Sequence, residues 1–239
     1  MISNQSFPQK EFLDIFDSLV NQKSPLIMTK SHQGIILSQE VKPIAIDGYR
    51  VVCEAGDPRI CAALEGWIYL HCPLFSRPIK ARVMDLSIGK GMFSLSEFSY
   101  LKKGWVERLH ERVQSRDPTF VSMRYHGRDI RSSLLDISTS GVGLLVGNPE
   151  DYDVTFEINS SVEIDFRINP AFRWTKLGGA IQYRHFSTRS LLRLGIRLYP
   201  KEEQALHLDR YIADRKAEIM EELDQVFLTT SIPSAIELL

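Results

Sequence analysis

The chain has 239 residues, of which 44% are hydrophobic and 25% charged, and its net charge at pH 7 is -1. This composition excludes wholesale disorder and suits one large domain or two small ones, each burying its own core. It also excludes the global basicity of a nonspecific nucleic-acid binder, so any anion site must be local and neither DNA nor RNA is an expected partner.

The N-terminal stretch carries Glu11, Asp14 and Asp17 and lacks the apolar core of a signal peptide, and no window offers the roughly eighteen apolar residues that span a bilayer. Cys53, Cys61 and Cys72 are odd in number and lack metal-ligand spacing. They read as reduced, mostly buried thiols, and the expected location is the cytoplasm.

Residues 1–24 hold an N-terminal helix, since Phe12, Phe16, Leu19 and Val20 recur at helical spacing with an acidic outer face. From 25 to 97 the pattern shortens to seven strand-length pieces: PLIMTK, GIILSQ, KPIAID, YRVVCE, GWIYLHC, IKARVMDL and GMFSLS. Turn signals such as Asp47-Gly48 and Gly56-Asp57-Pro58 separate several of them, which predicts an antiparallel meander closing into a small barrel. Ile88-Gly-Lys-Gly91 is not a phosphate loop, because the GxxxxGK[ST] pattern is not met.

Residues 98–118 link the domains. Tyr100, Trp105 and Leu109 are candidates to clamp this linker, leaving Arg108, Arg112 and Arg116 directed elsewhere. Between 102 and 131 eight Lys/Arg face four Asp/Glu, a local basic excess. Two arginines four apart lie on one side of a helical turn or along one edge of an ordered arm, each a planar fork suited to phosphate or a guanine edge. Residues 119–227 hold six cleaner strands and a closing helix. SVEIDFRI sets Val162, Ile164, Phe166 and Ile168 on one face, and LLRLGIRLYP sets Leu192, Leu194, Ile196 and Leu198 inward with Arg193 and Arg197 outward. The closing helix carries a stripe of Leu208, Tyr211, Ile212, Ile219, Leu223 and Val226 and an acidic polar face, which argues against a membrane helix. Residues 228–239 form a tail.

The arm Arg112-xxx-Arg116 is followed, twenty residues after Arg116, by the turn Asp136-Ile-Ser138-Thr-Ser-Gly141. Either motif alone is weak, but joined at this spacing, and followed by GGAIQYRHF and LGIRLYP, they resemble the PilZ domain over roughly residues 108 to 225. The resemblance implies a mainly β fold of two antiparallel barrels with flanking helices at both ends. The second would be a six-stranded PilZ barrel. The first would be a split barrel or degenerate PilZ-like barrel of the kind that precedes PilZ in flagellar-brake receptors; Asp85, Ser87 and Gly91 faintly echo the turn, one residue out of register.

The resemblance further implies that cyclic di-GMP binds at the domain junction. Arg112 and Arg116 would wrap the ligand from the arm, while Asp136, Ser138 and Gly141 would floor it from the barrel. Asp136 would accept from guanine N–H groups, Ser138 would reach a phosphate oxygen, and Gly141 would let the ligand approach the backbone. Arg108, one helical turn before Arg112, is a candidate third contact, set against a merely solvated side chain. Glu111 stands where family members often carry another arginine, which leaves the number of bound dinucleotides open. In the free protein Arg116 and Asp136 are both expected to be exposed and the arm mobile.

No catalytic constellation or cofactor is expected: the six histidines lack close ligand spacing, and no GxSxG surrounds a serine. Asp136 and Ser138 share a strand face, but without a nearby base the serine stays a poor nucleophile. The expected output is a reorientation of the two domains, read by a protein partner such as the flagellar motor, with a second copy of the chain as a further candidate partner. The alternative is a PilZ-fold adaptor that binds no ligand and acts through fixed protein contacts.

Overall fold

The computed structural model describes residues 7–101 and 111–231. Arg108, Trp105 and Leu109 lie outside the described residues. The chain is mainly β and divides into two compact units: residues 7–32, 36–101 and 219–231 in one, and 33–35 and 111–218 in the other. Each contains one closed six-stranded antiparallel barrel.

In the first unit, α1 spans Phe7–Gln22, followed by β1 (Leu26–His32), β2 (Ile35–Asp47), β3 (Arg50–Ala55), β4 (Trp67–His71), β5 (Ile79–Ser87) and β6 (Met92–Tyr100). They close in the order β1-β2-β3-β6-β5-β4. The seven expected pieces are six strands, because GIILSQ and KPIAID are one strand, β2, that bends at a register shift between Pro43 and Ala45. Proline cannot donate to the ladder, and placing it at the irregularity avoids losing an interior bond. Phe12, Phe16 and Leu19 bury the apolar face of α1, with Phe16 against Phe75 and Phe98 at 5.6 and 4.9 Å between ring centroids. The Gln9 amide donates to the Phe98 carbonyl and accepts from its N–H, pairing backbone groups at the end of β6.

The second barrel comprises β7 (Phe120–Tyr125), β8 (Arg128–Ser138), β9 (Gly141–Gly147), β10 (Ser161–Arg167), β11 (Arg173–Thr188) and β12 (Leu191–Leu198), followed by α2 (Glu202–Ser231). It closes in the order β10-β11-β12-β9-β8-β7. Inward positions follow the period-2 apolar pattern: Met123, Ile130, Leu144, Ile164, Ile181 and Leu194 are all fully buried. Closure removes the free sheet edge that would otherwise invite pairing with other chains. Phe172, Trp174 and Tyr211 pack together, with Tyr211 set edge-on to both. Val226, counted in the apolar stripe of α2, is instead substantially exposed, whereas Leu208, Ile219 and Leu223 are buried.

All three cysteines are free and buried. Burial pushes the Cys53 thiol up to about 12, and burial together with the Asp57 carboxylate pushes Cys61 up to about 11, from an ordinary value of 9.0. The folded state therefore favours the neutral thiol: the stability this carries is intact below pH 9 and is lost as pH rises toward those values. Because the thiolate is the reactive form, iodoacetamide at pH 8 should leave Cys53 and Cys61 unmodified in the native chain and modify them in denaturant. Prompt native alkylation, read by intact mass, would contradict this placement.

Candidate ligand site

The site is built on the outward face of β8, β9, β12 and β11. Strict alternation along β8 would turn Asp136 to the same side as the buried Leu134. A register shift between them prevents this: Leu134 pairs with Leu144, facing the core, and Asp136 pairs with Gly143. One extra residue, Leu135, thus turns Asp136 outward. The same device operates on β11, where Ile181 pairs with the core residue Ile196 but Tyr183, after a shift at Gln182, pairs with Gly195. One row therefore runs Asp136, Gly143, Gly195, Tyr183 across four strands.

The glycines in this row are required by what lies over them. A Cβ at Gly143 would stand 3.0 Å from the Asp136 carboxylate, and one at Gly195 would stand 1.9 Å from the Tyr183 ring. Gly141 is similarly crowded, by the Ile196 carbonyl at 2.8 Å. The backbone of this face is bare, and the two larger side chains lie down on it.

The arm joins the site through a single bridge. Val113 is fully buried and exchanges both backbone hydrogen bonds with Ile137, each 2.9 Å. Of the two forms expected for the arm, a helical turn or an ordered edge, the described part is the extended one, a one-residue addition beside the end of β8. Arg215, only 3% exposed, donates Nε to the Gln114 carbonyl and Nη1 to Glu218, and Lys216 pairs with Glu111 at 2.6 Å. These contacts hold the arm's first half in place.

Asp136 is buried, at 6% exposure, contrary to its expected exposure. Arg112 Nη1 donates to Oδ1 and Arg193 Nη2 to Oδ2, each at 3.1 Å. A carboxylate so covered is retained because each oxygen has a charged donor. Arg112 is correspondingly half-buried and docked, where a mobile side chain was expected; Arg116 is exposed and has no hydrogen bond or ion pair among the described residues. Ser138 is buried and its hydroxyl donates to the Gly141 carbonyl at 3.1 Å. Its partner is thus a carbonyl and not a base.

Beside this pair lies a cavity of about 380 Å³, floored by Gly141, Gly195 and Ile196 and edged by Arg112, Gln182, Tyr183 and Arg197. Its size is within the range of small-molecule sites. The structure brings Arg112 to Asp136 and Ser138 to Gly141; of the expected site residues Arg112 and Gly141 line the cavity, whereas Asp136, Ser138 and Arg116 do not. Sequence reading missed Arg193, Arg197, Tyr183 and Gln182. The outward alternation of Arg193 and Arg197 was visible, but their position opposite β9 depends on register.

No family model and no curated protein matches the chain. Several solved structures are similar in fold. Escherichia coli YcgR in complex with c-di-GMP is 16% identical with a TM-score of 0.44, over 90% of this chain and 93% of that one. K. pneumonia MrkH in its c-di-GMP complex is 11% identical with a TM-score of 0.47, over 90% and 96%. The Bacillus subtilis inhibitor of motility MotI/DgrA is 10% identical with a TM-score of 0.40, over 81% and 96%.

Asp136→Ala should destabilise the fold by about 2 kcal/mol, because it removes a buried acceptor from two guanidiniums that can only partly rehydrate. Arg112→Ala should cost less, since Arg193 still covers the carboxylate. Thermal melts of the two variants check this order, and an equal or reversed ranking would contradict the shared-carboxylate geometry.

Proposed function

We propose that this chain is a cyclic di-GMP receptor whose ligand is taken by Arg112 and Arg116 on the arm and by Asp136, Ser138 and Gly141 on the second barrel. The observation that carries the reading is the ion pair between Asp136 and Arg112, the latter lining a glycine-floored cavity, which joins the two halves of the RxxxR and DxSxxG pattern. Guanidinium forks on either side of such a cavity suit the phosphates and guanine edges of a cyclic dinucleotide, and their planes can stack on its bases. Arg197 at the cavity edge is a further donor of the same kind.

Binding requires Arg112 to share or leave Asp136. Because the arm is the stretch of chain between the two barrels, its rearrangement is the step through which binding would change their relation and be read by a protein partner in the cytoplasm, with motility control the process the motif resemblance favours. A homodimer is compatible with this scheme. The second reading is a ligand-free adaptor, favoured by the fact that Asp136 already has both oxygens satisfied without a ligand.

Calorimetric titration with cyclic di-GMP, with GTP and cyclic di-AMP as controls, separates the two. A receptor gives micromolar or tighter binding specific for the guanine dinucleotide. Arg112→Ala and Arg116→Ala should each weaken it about ten- to hundredfold, the loss of one charge-assisted contact, with circular dichroism unchanged. Absence of heat from a folded protein would leave the adaptor. Small-angle scattering with and without ligand tests the rearrangement, and superimposable curves at saturation would exclude it.

A further inference from the structure

A second cavity in the same unit carries charge that the proposed receptor function does not use. It measures about 690 Å³ and lies where the start of β11 meets the first turns of α2. Four cations line it, Arg173, Lys176, Lys201 and Arg210, against one carboxylate, Glu203. The side chains of Arg173, Lys176 and Lys201 have no hydrogen bond or ion pair among the described residues, and Arg210 reaches only Asp214, at 3.9 Å. Cations on a protein surface ordinarily sit among opposite charges; four converging on one concavity with a single acid create a positive potential that its low-dielectric walls focus.

Two further features mark the cavity as built. Trp174 lines it at 2% exposure, and its indole N–H has no acceptor among the described residues. A buried donor without a partner is costly. Lys176 is held in the left-handed region at φ 51, where its N–H donates to Asp165 Oδ1 at 2.8 Å, at the β10–β11 register shift. Such a conformation is unfavourable for a residue with a side chain and persists because the bulge and Asp165 determine it. Gln204 fixes the helix start to the strand, donating to the Thr175 carbonyl. The first turn of α2 already carries Glu202 and Glu203, so attraction for an anion comes from the side-chain cations and not from the helix end.

We propose that this cavity binds a soluble compound of nucleotide size bearing two or more phosphates. Cations spread around the rim of a cavity this large are bridged by several linked anionic groups and not by one. Arginine forks take phosphate oxygens in pairs while lysines act as point charges. Leu206, 65% exposed at the lip, gives the remainder of such a ligand an apolar face. The site is distinct from the Arg112 cavity and does not depend on what that cavity binds.

The test is calorimetric titration of the full chain with sodium tripolyphosphate, in the parent and in Arg112→Ala. Saturable binding, one per chain, should persist in Arg112→Ala. Combining Lys176→Asn, which tolerates the left-handed backbone, with Arg210→Gln should weaken it at least tenfold, as expected for two lost charge-assisted contacts. In both proteins affinity should fall steeply as salt rises. The proposal fails if tripolyphosphate gives no saturable heat at millimolar concentration, or if binding is lost in Arg112→Ala and kept in the double variant. It also fails if duplex DNA binds with the double variant's sensitivity while tripolyphosphate does not bind, because the cavity would then be part of a nucleic-acid surface.

Discussion

The carboxylate of Asp136, shared between Arg112 and Arg193, is the contact on which the arrangement of the second barrel's outer face depends. It joins three segments distant in sequence: the arm, β8 and β12. A buried carboxylate without donors is costly, so Arg193 and Arg112 are what allow it to sit at 6% exposure. In turn the carboxylate fixes where both guanidiniums stand. The Val113 bridge supplies the backbone half of the same attachment, and the ion pair supplies the side-chain half.

Two β-bulges make this face possible. Barrel strands alternate core and solvent, and a site on the solvent side needs several polar or aromatic groups aimed the same way at the same height. Leu135 and Gln182 each interrupt the alternation by one residue, which turns Asp136 and Tyr183 onto one row with Gly143 and Gly195 between them. The glycines are a consequence of that choice. Once a carboxylate and a phenol ring lie flat on the sheet, the strands beneath have no room for a Cβ.

This explains which parts of the structure were legible in the sequence. Period-2 apolar runs predict the six strands of the second barrel because nearly all inward positions there are filled by aliphatic or aromatic side chains, Ser132 being a polar one. In the first barrel the polar stretch Ser38-Gln-Glu40 within β2 resembles a loop, so one bent strand reads as two pieces. The motif residues are legible as types and spacing, but their environment is not. Asp136 looks exposed when only β8 is considered, because the residues that bury it come from 24 positions before and 57 after. A bulge has no strong sequence signature here, so the register shift that sets Asp136 beside Gly143 is not legible. Arg193 and Arg197 were visible as outward cations, and only the pairing of β12 with β9 and β11 sets Arg193 over Asp136 and Arg197 at the cavity.

The double coverage of Asp136 bears on how Arg112 can serve a ligand at all. If Arg112 were the sole partner of the carboxylate, drawing it toward a phosphate would leave a buried charge unpaired, a cost of about 3 to 5 kcal/mol that few contacts could offset. Arg193 changes the sum. Its bond to Oδ2 is separate from the Arg112 bond to Oδ1, so the carboxylate would keep one charged donor if Arg112 moved to a ligand. In the proposed receptor the exchange would trade one charge-assisted bond for another of similar strength, and the difference would be set by what the rest of the ligand gained from Arg116, Arg197 and the bare glycine floor. A pair that is stable when empty and cheap to open is the arrangement from which a ligand-sensitive arm can work.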